Sequence, residues 1–258
     1  MPHKEAIGSR KGGVGKTTVV LGRADALAQE GRKVLVIDLD PQSDATTVLG
    51  RRGEYTVFDV LYAGDAGTLG EAAAPTDWKN VDLIAGSPDL ARIESESLLT
   101  PELRLKTSAW GSAQLDAYDD VLIDTPPALG RLTLNALLWA DSTIVVTDPT
   151  AFGLTGVGQY LETVAKVRAL PHLNPSLRFA GIVVNRVTPR LTAEHRYRLE
   201  ELEATYGEVL LRPFLPERTA MQDAESRRRP LSSLTTPGAL VLTERFAALT
   251  EALHGVAA

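Results

Sequence analysis

The stretch SRKGGVGKTT at 9–18 follows a short apolar run and leads straight into a strongly patterned helix. Few architectures accommodate a glycine-rich turn of that kind between a strand and a helix. Gly12, Gly13 and Gly15 allow backbone dihedrals closed to other residues and let the chain approach a ligand closely. The N–H groups at the start of the following helix then face an anion. Lys16 supplies a point charge for β/γ phosphates, and the Thr17 hydroxyl is placed to ligate Mg²⁺. Against the general G-x-x-x-x-G-K-[ST] pattern, Arg10 stands where the first glycine is expected. The simpler alternative, a solvated turn capping a helix, does not account for strand, loop and helix in that order.

A phosphate loop of this type needs a parallel sheet behind it, and the rest of the chain is written accordingly. Strands are expected at 6–8, 33–39, 81–85, 120–124, 143–147, 180–185 and 209–211, mostly as continuous apolar runs, as for strands covered on both faces. Helices are expected at 17–30, from Thr100-Pro101-Glu102 to about Leu115, at 192–206 and at 237–254. A short helix at 57–62 carries Thr56 and Asp59 as a capping pair. The expected fold class is α/β, a doubly wound, mostly parallel sheet with helices on both faces, in a single P-loop domain spanning 1–258.

Composition removes several chemistries. With no cysteine, disulfides, thiolate metal sites, iron–sulfur clusters and cysteine nucleophiles are excluded. No apolar leader opens the chain and no apolar run is long enough to span a bilayer, so a cytoplasmic protein is expected. The net charge of −6 argues against a generally basic nucleic-acid-coating protein and leaves only local clusters, chiefly Arg227-Arg228-Arg229. Such a run is also compatible with a solvated loop.

Beyond the loop, VLVIDLDPQ ends a buried run with Asp38 and Asp40 at the sheet edge where open α/β folds bind ligands. YDDVLIDTPPALG ends another with Asp124, the Walker B pattern. Asp38 also fits as a partner for the turn that follows it. KGGVGKTT itself resembles the deviant Walker A motif of the ParA/MinD-type ATPases, whose signature residue is the leading lysine, here Lys11. The resemblance runs from Ile7 to about Ala239 and includes DLDPQ, DTPPALGRLTLNAL, YTVFDVLYAG and VDLIAGSPDLARIE.

That resemblance implies ATP and Mg²⁺ as ligands. The nucleotide contacts would come from Lys11, Gly12, Gly13, Val14, Gly15, Lys16, Thr17 and Thr18, with Thr17, Asp40 and Asp124 at the metal. Asp40 would orient the attacking water, with Lys11 and Lys16 completing the catalytic set. Lys11 would reach across a dimer to the partner's nucleotide, like an arginine finger given in trans. The plainer alternative is a surface lysine adding positive potential. Asn185, Arg186, Pro216 and Glu217 would line the adenine pocket, although an Asn at a strand end is often a turn residue.

The family implies further partners: an ATP-dependent homodimer, non-specific double-stranded DNA and a ParB-type centromere-binding protein that stimulates slow hydrolysis. DNA contacts would fall to Arg190, Arg218, Arg227, Arg228 and Arg229, with Ala220 standing where many relatives have another arginine. About ten residues precede the loop, matching the short form without a DNA-reading module. The last helix holds Glu244 and Glu251 and no lysine, which disfavours the membrane docking of MinD-type proteins. The implied role is plasmid or chromosome partitioning on the nucleoid. The alternatives are a MinD-like ATPase positioning a protein or membrane cargo, or a metabolic ATP-dependent synthetase or amidase.

Overall fold

Apolar strands 4–7 residues long cannot stand alone, and here six of the seven strands lie side by side in parallel. The computed structural model describes residues 1–50, 53–151, 153–217 and 219–257. In chain order the elements are β1 (His3–Gly8), α1 (Lys16–Gln29), β2 (Val34–Asp38), α2 (Asp44–Leu49), α3 (Val57–Ala63) and β3 (Ala73–Pro75). Then come β4 (Val81–Ile84), α4 (Leu90–Ser95), α5 (Arg104–Ala109), β5 (Asp120–Asp124), α6 (Arg131–Trp139) and β6 (Ser142–Thr147). The chain continues with α7 (Gly153–Ala169), β7 (Arg178–Val184), α8 (Ala193–Tyr206), α9 (Thr219–Ser226) and α10 (Pro237–Ala257). The sheet order is β3-β4-β2-β5-β1-β6-β7, with only the β3–β4 pair antiparallel.

Alternation along the strands explains the two helical layers. On β2, Val34 and Val36 join one core with α1, α2, α9 and α10, while Leu35 and Ile37 join the other with α3 to α8. Both faces are therefore covered, as the unbroken apolar runs imply. The apolar stripe of α10 is spent internally: Leu242, Phe246, Leu249 and Leu253 are buried, and a Cβ on Gly22 of α1 would sit 2.3 Å from the Phe246 ring. Among the described residues, no helix is long and apolar enough to cross a membrane.

Two sequence expectations change. No helix starts at Thr100, which takes a φ of 45°. The helix begins at Arg104, capped from outside by Asn135 Oδ1, which accepts from Leu105 N at 2.8 Å, and Gly111 at φ 80° closes the segment. Residues 209–211 form no strand; Leu210 makes one isolated parallel bridge to Ile182 between a 3-10 turn and Pro213, which has no N–H to give. The segment holding TAMQDA is α9, with Pro216 and Glu217 just before it. The Thr56/Asp59 capping box is present as expected.

Candidate functional site

The parallel sheet delivers the carboxyl ends of β1, β2 and β5 to one edge, beside the start of α1. Gly15 is the N-cap of α1 in the left-handed region (φ 86°, ψ 40°), and no side chain caps the helix. The first N–H groups of α1 therefore lack a side-chain cap and face the loop's concave side. Only glycine fits at 15: beyond the positive φ, a Cβ would lie 2.3 Å from Asn185 Nδ2. That amide donates to the Val14 carbonyl at 2.9 Å. Asn185, expected at the adenine pocket, thus also braces the phosphate loop from β7. Val14 is fully buried, so only its backbone can face a ligand.

Lys16 is buried, and that burial lowers its pKa against the pull of Asp124, Asp40 and Asp44. Thr17 Oγ1 donates to Asp124 Oδ2 at 2.7 Å. Asp124 is fully buried, and its carboxyl is pushed well up by burial and by Asp38. Its other oxygen, Oδ1, has no partner among the described residues. An orphaned carboxylate oxygen beside a threonine hydroxyl offers the oxygen ligands that suit a phosphate-bound Mg²⁺, and the lysine ammonium suits the phosphate itself. Among the described residues no cluster of three or more acidic, His or Cys side chains could cage a metal alone.

Asp38 and Asp40 divide the work. Asp38 is fully buried and accepts from Thr46 N (2.8 Å), Thr46 Oγ1 (2.6 Å) and Asp40 N (3.2 Å), fixing the turn into α2. Burial lifts its pKa to about 6. Asp40 is half-buried at the mouth of a cavity of about 580 Å³, lined also by Gly12, Gly13, Gly15, Lys16, Thr17 and Thr18. Asn185, Arg186, Pro216 and Glu217 line an adjoining cleft of about 130 Å³ with Met221 and Gln222. Their convergence rests on two backbone links, Val187 N to Leu215 O (3.0 Å) and Glu217 N to Val187 O (3.0 Å).

Lys11 stands apart from this cavity. Its Nζ donates to both carboxylate oxygens of Asp148 (2.9 and 2.7 Å) and to Thr150 Oγ1 (2.9 Å). Asp148, just past β6, escaped sequence analysis, because an acidic residue after an apolar run carries no signal of its own. Glu225 escaped it too; it accepts from Thr18 Oγ1 at 3.0 Å.

The arginines do not assemble. Arg190 is exposed in the loop after β7 at one sheet edge. Arg227, Arg228 and Arg229 are exposed at the end of α9, where Arg228 O accepts from Trp78 Nε1 (3.2 Å) just ahead of β4. In the sheet order β4 and β7 are separated by five strand intervals, roughly 24 Å. The triple run also serves the backbone. Arg228 takes φ 53°, Arg229 N donates to Ala224 O and Arg228 N to Glu225 O, the Schellman stop usually made with glycine. Arg218 lies outside the described residues.

With this geometry in hand, comparison with known proteins is specific. A family described as an AAA domain matches residues 4–179. The chromosome-partitioning ATPase Soj of Thermus thermophilus is 35% identical over 236 residues, covering 91% of this chain and 90% of that protein. The chromosome partitioning protein ParA of Caulobacter vibrioides is 33% identical, covering 88% of this chain and 85% of its own length. Among solved structures, a cobyrinic acid a,c-diamide synthase from Mycobacterium smegmatis with bound ADP and magnesium superposes with a TM-score of 0.77 at 33% identity. That match covers 96% of this chain and 94% of the synthase. A plasmid partition protein from Borrelia burgdorferi bound to AMPPNP shares the fold, with a TM-score of 0.80 at 22% identity over 99% of both chains.

Proposed function

The chain belongs to the Soj/ParA family of partition ATPases, and from that premise we propose that it is an ATP-gated DNA-binding switch for plasmid or chromosome partitioning. The carrying observation is convergence: Lys16, Thr17 and Asp40 meet the glycine loop at one cavity, with Asp124 hydrogen-bonded to Thr17 behind it. ATP lies there with its triphosphate on the loop N–H groups and Lys16, and its base toward Asn185, Arg186, Pro216 and Glu217. Thr17 and Asp124 hold Mg²⁺, whose contribution when bound is to neutralise charge on the phosphates. Asp40, the half-buried carboxylate at the mouth, orients the attacking water and accepts its proton.

Dimerisation is assigned to Lys11. In the single chain its ammonium is satisfied by Asp148 and Thr150. The triphosphate of a second copy competes for the same ammonium, and release of γ-phosphate returns it to Asp148. A dimer doubles the exposed arginines Arg190 and Arg227 to Arg229, and with Arg218 these make two weak phosphate-binding patches act by avidity. Coupling is reciprocal, so DNA favours the ATP-bound dimer. A ParB-type protein accelerates hydrolysis, and the protein resides in the cytoplasm on the nucleoid.

The test is ATP turnover with and without random-sequence duplex DNA and a ParB-type partner, beside DNA binding in ATP and in ADP. Slow turnover that the partner accelerates, with DNA binding in ATP alone, is expected. DNA binding indifferent to nucleotide contradicts the switch.

The 33% identity to a chain titled cobyrinic acid a,c-diamide synthase supports a second reading, an ATP-dependent amidation. Against it, the chain has no cysteine, so it carries no thiolate to free ammonia from glutamine. ATP turnover that depends on a carboxylic acid substrate and ignores DNA would favour the amidation reading.

A further inference from the structure

The phosphate cavity and the cleft beside it share a wall. Thr18, Arg186 and Glu225 line both. A nucleotide with its triphosphate in the first space and its base in the second must lay its sugar across those three residues.

Glu225 is the unexpected member. A carboxylate on the rim of a triphosphate site repels the ligand unless it meets a donor there. It sits in the last turn of α9, half-buried, with one oxygen accepting from Thr18 Oγ1 at 3.0 Å. Among the described residues its second oxygen carries no hydrogen bond and no ion pair. Burial raises its pKa, while Thr18 and the nearby positive charge of Arg186 oppose that rise. The acid is thus oriented on one side and open on the other, in the gap between phosphate and base.

The sugar is the only part of a nucleoside triphosphate that offers uncharged hydroxyl donors. A vicinal diol matches the free lone pairs of a carboxylate. Dinucleotide-binding folds hold ribose with an acidic side chain for the same reason. We propose that Glu225 binds the ribose hydroxyls of the nucleotide and so selects ribonucleoside over deoxyribonucleoside triphosphates. This rests on the nucleotide site proposed above and adds its sugar specificity.

The test is calorimetric titration of the full chain with ATP, 2′-deoxy-ATP and 2′,3′-dideoxy-ATP in Mg²⁺, for the wild type, Glu225→Ala and Glu225→Gln. The wild type binds ATP about tenfold or more tightly than the dideoxy analogue, the worth of a hydrogen bond to a charged acceptor. In Glu225→Ala that ratio collapses to within about twofold of unity, and the dideoxy analogue binds as well as before. Glu225→Gln keeps an acceptor oxygen without the charge and falls between. Equal wild-type affinity for ATP and the dideoxy analogue overturns the assignment while leaving the nucleotide site standing. So does a ratio that survives Glu225→Ala. A wild type that takes up none of the three ligands removes the nucleotide reading itself, and this assignment with it.

Discussion

The phosphate loop and the arginine run are both short stretches of unusual composition, and the fold treats them in opposite ways. The loop is drawn inward: Lys16 is buried, Gly15 is clamped by Asn185, and Thr17 is hydrogen-bonded to a fully buried aspartate. The arginines are turned outward, exposed and distributed between the β7 edge and the end of α9 near Trp78. A site that works by convergence concentrates its free energy in a few atoms placed to within a fraction of an ångström. A site that works by displacing counterions adds up many small, interchangeable contributions. The first is brittle under substitution and the second graded.

Mutagenesis can break that contrast, and the largest effect is expected at Asp40. Asp40→Asn should lower turnover by a hundredfold or more, the usual worth of a positioned base, while ATP binding persists. A loss below about tenfold in single-turnover assays would move the base elsewhere. Lys16→Ala should weaken ATP binding on the order of a hundredfold by calorimetry, because it removes charge-assisted contacts and leaves Asp124 buried without its cation. Arg190→Ala should weaken DNA binding only a few-fold and reduce the slope of log K against log salt by about one. A collapse of binding on that single change would make the surface convergent after all.

The smallest effect separates the two uses of the arginine run. Arg228→Gly would remove one of the proposed phosphate contacts but suits the left-handed stop of α9, so thermal stability should hold or rise slightly while the DNA salt slope falls by about one. A drop in stability with no change in slope would reduce the run to a helix cap.

Legibility in the sequence follows the same division. Six of the seven expected strand runs, the glycine loop, Asp124 and the Thr56 capping box depend on residues adjacent in the chain, and the sequence carries them plainly. What it hid was set by tertiary partners. The start of α5 is fixed by Asn135 from another helix, and Asn185 braces a loop about 170 positions away. The helix α7, with Gly153, Gly156 and Gly158, lacks the composition that announces a helix, yet Tyr160 and Val164 anchor it to the core. Asp148 and Glu225 gain meaning only from what they touch, Lys11 and Thr18. The Arg227 to Arg229 run reads as charge in one dimension and proves to be a helix stop as well.

Lys11 joins the two regions, since it lies in the loop but is held outside the cavity by Asp148. The most direct test of the account is the mass in solution and the binding to random-sequence duplex DNA of wild type and Lys11→Ala, in ATP and in ADP. The account predicts that the wild type dimerises and binds DNA only in ATP, whereas Lys11→Ala still binds ATP, stays monomeric and leaves DNA free. A Lys11→Ala protein that dimerises and binds DNA in ATP as the wild type does would contradict it.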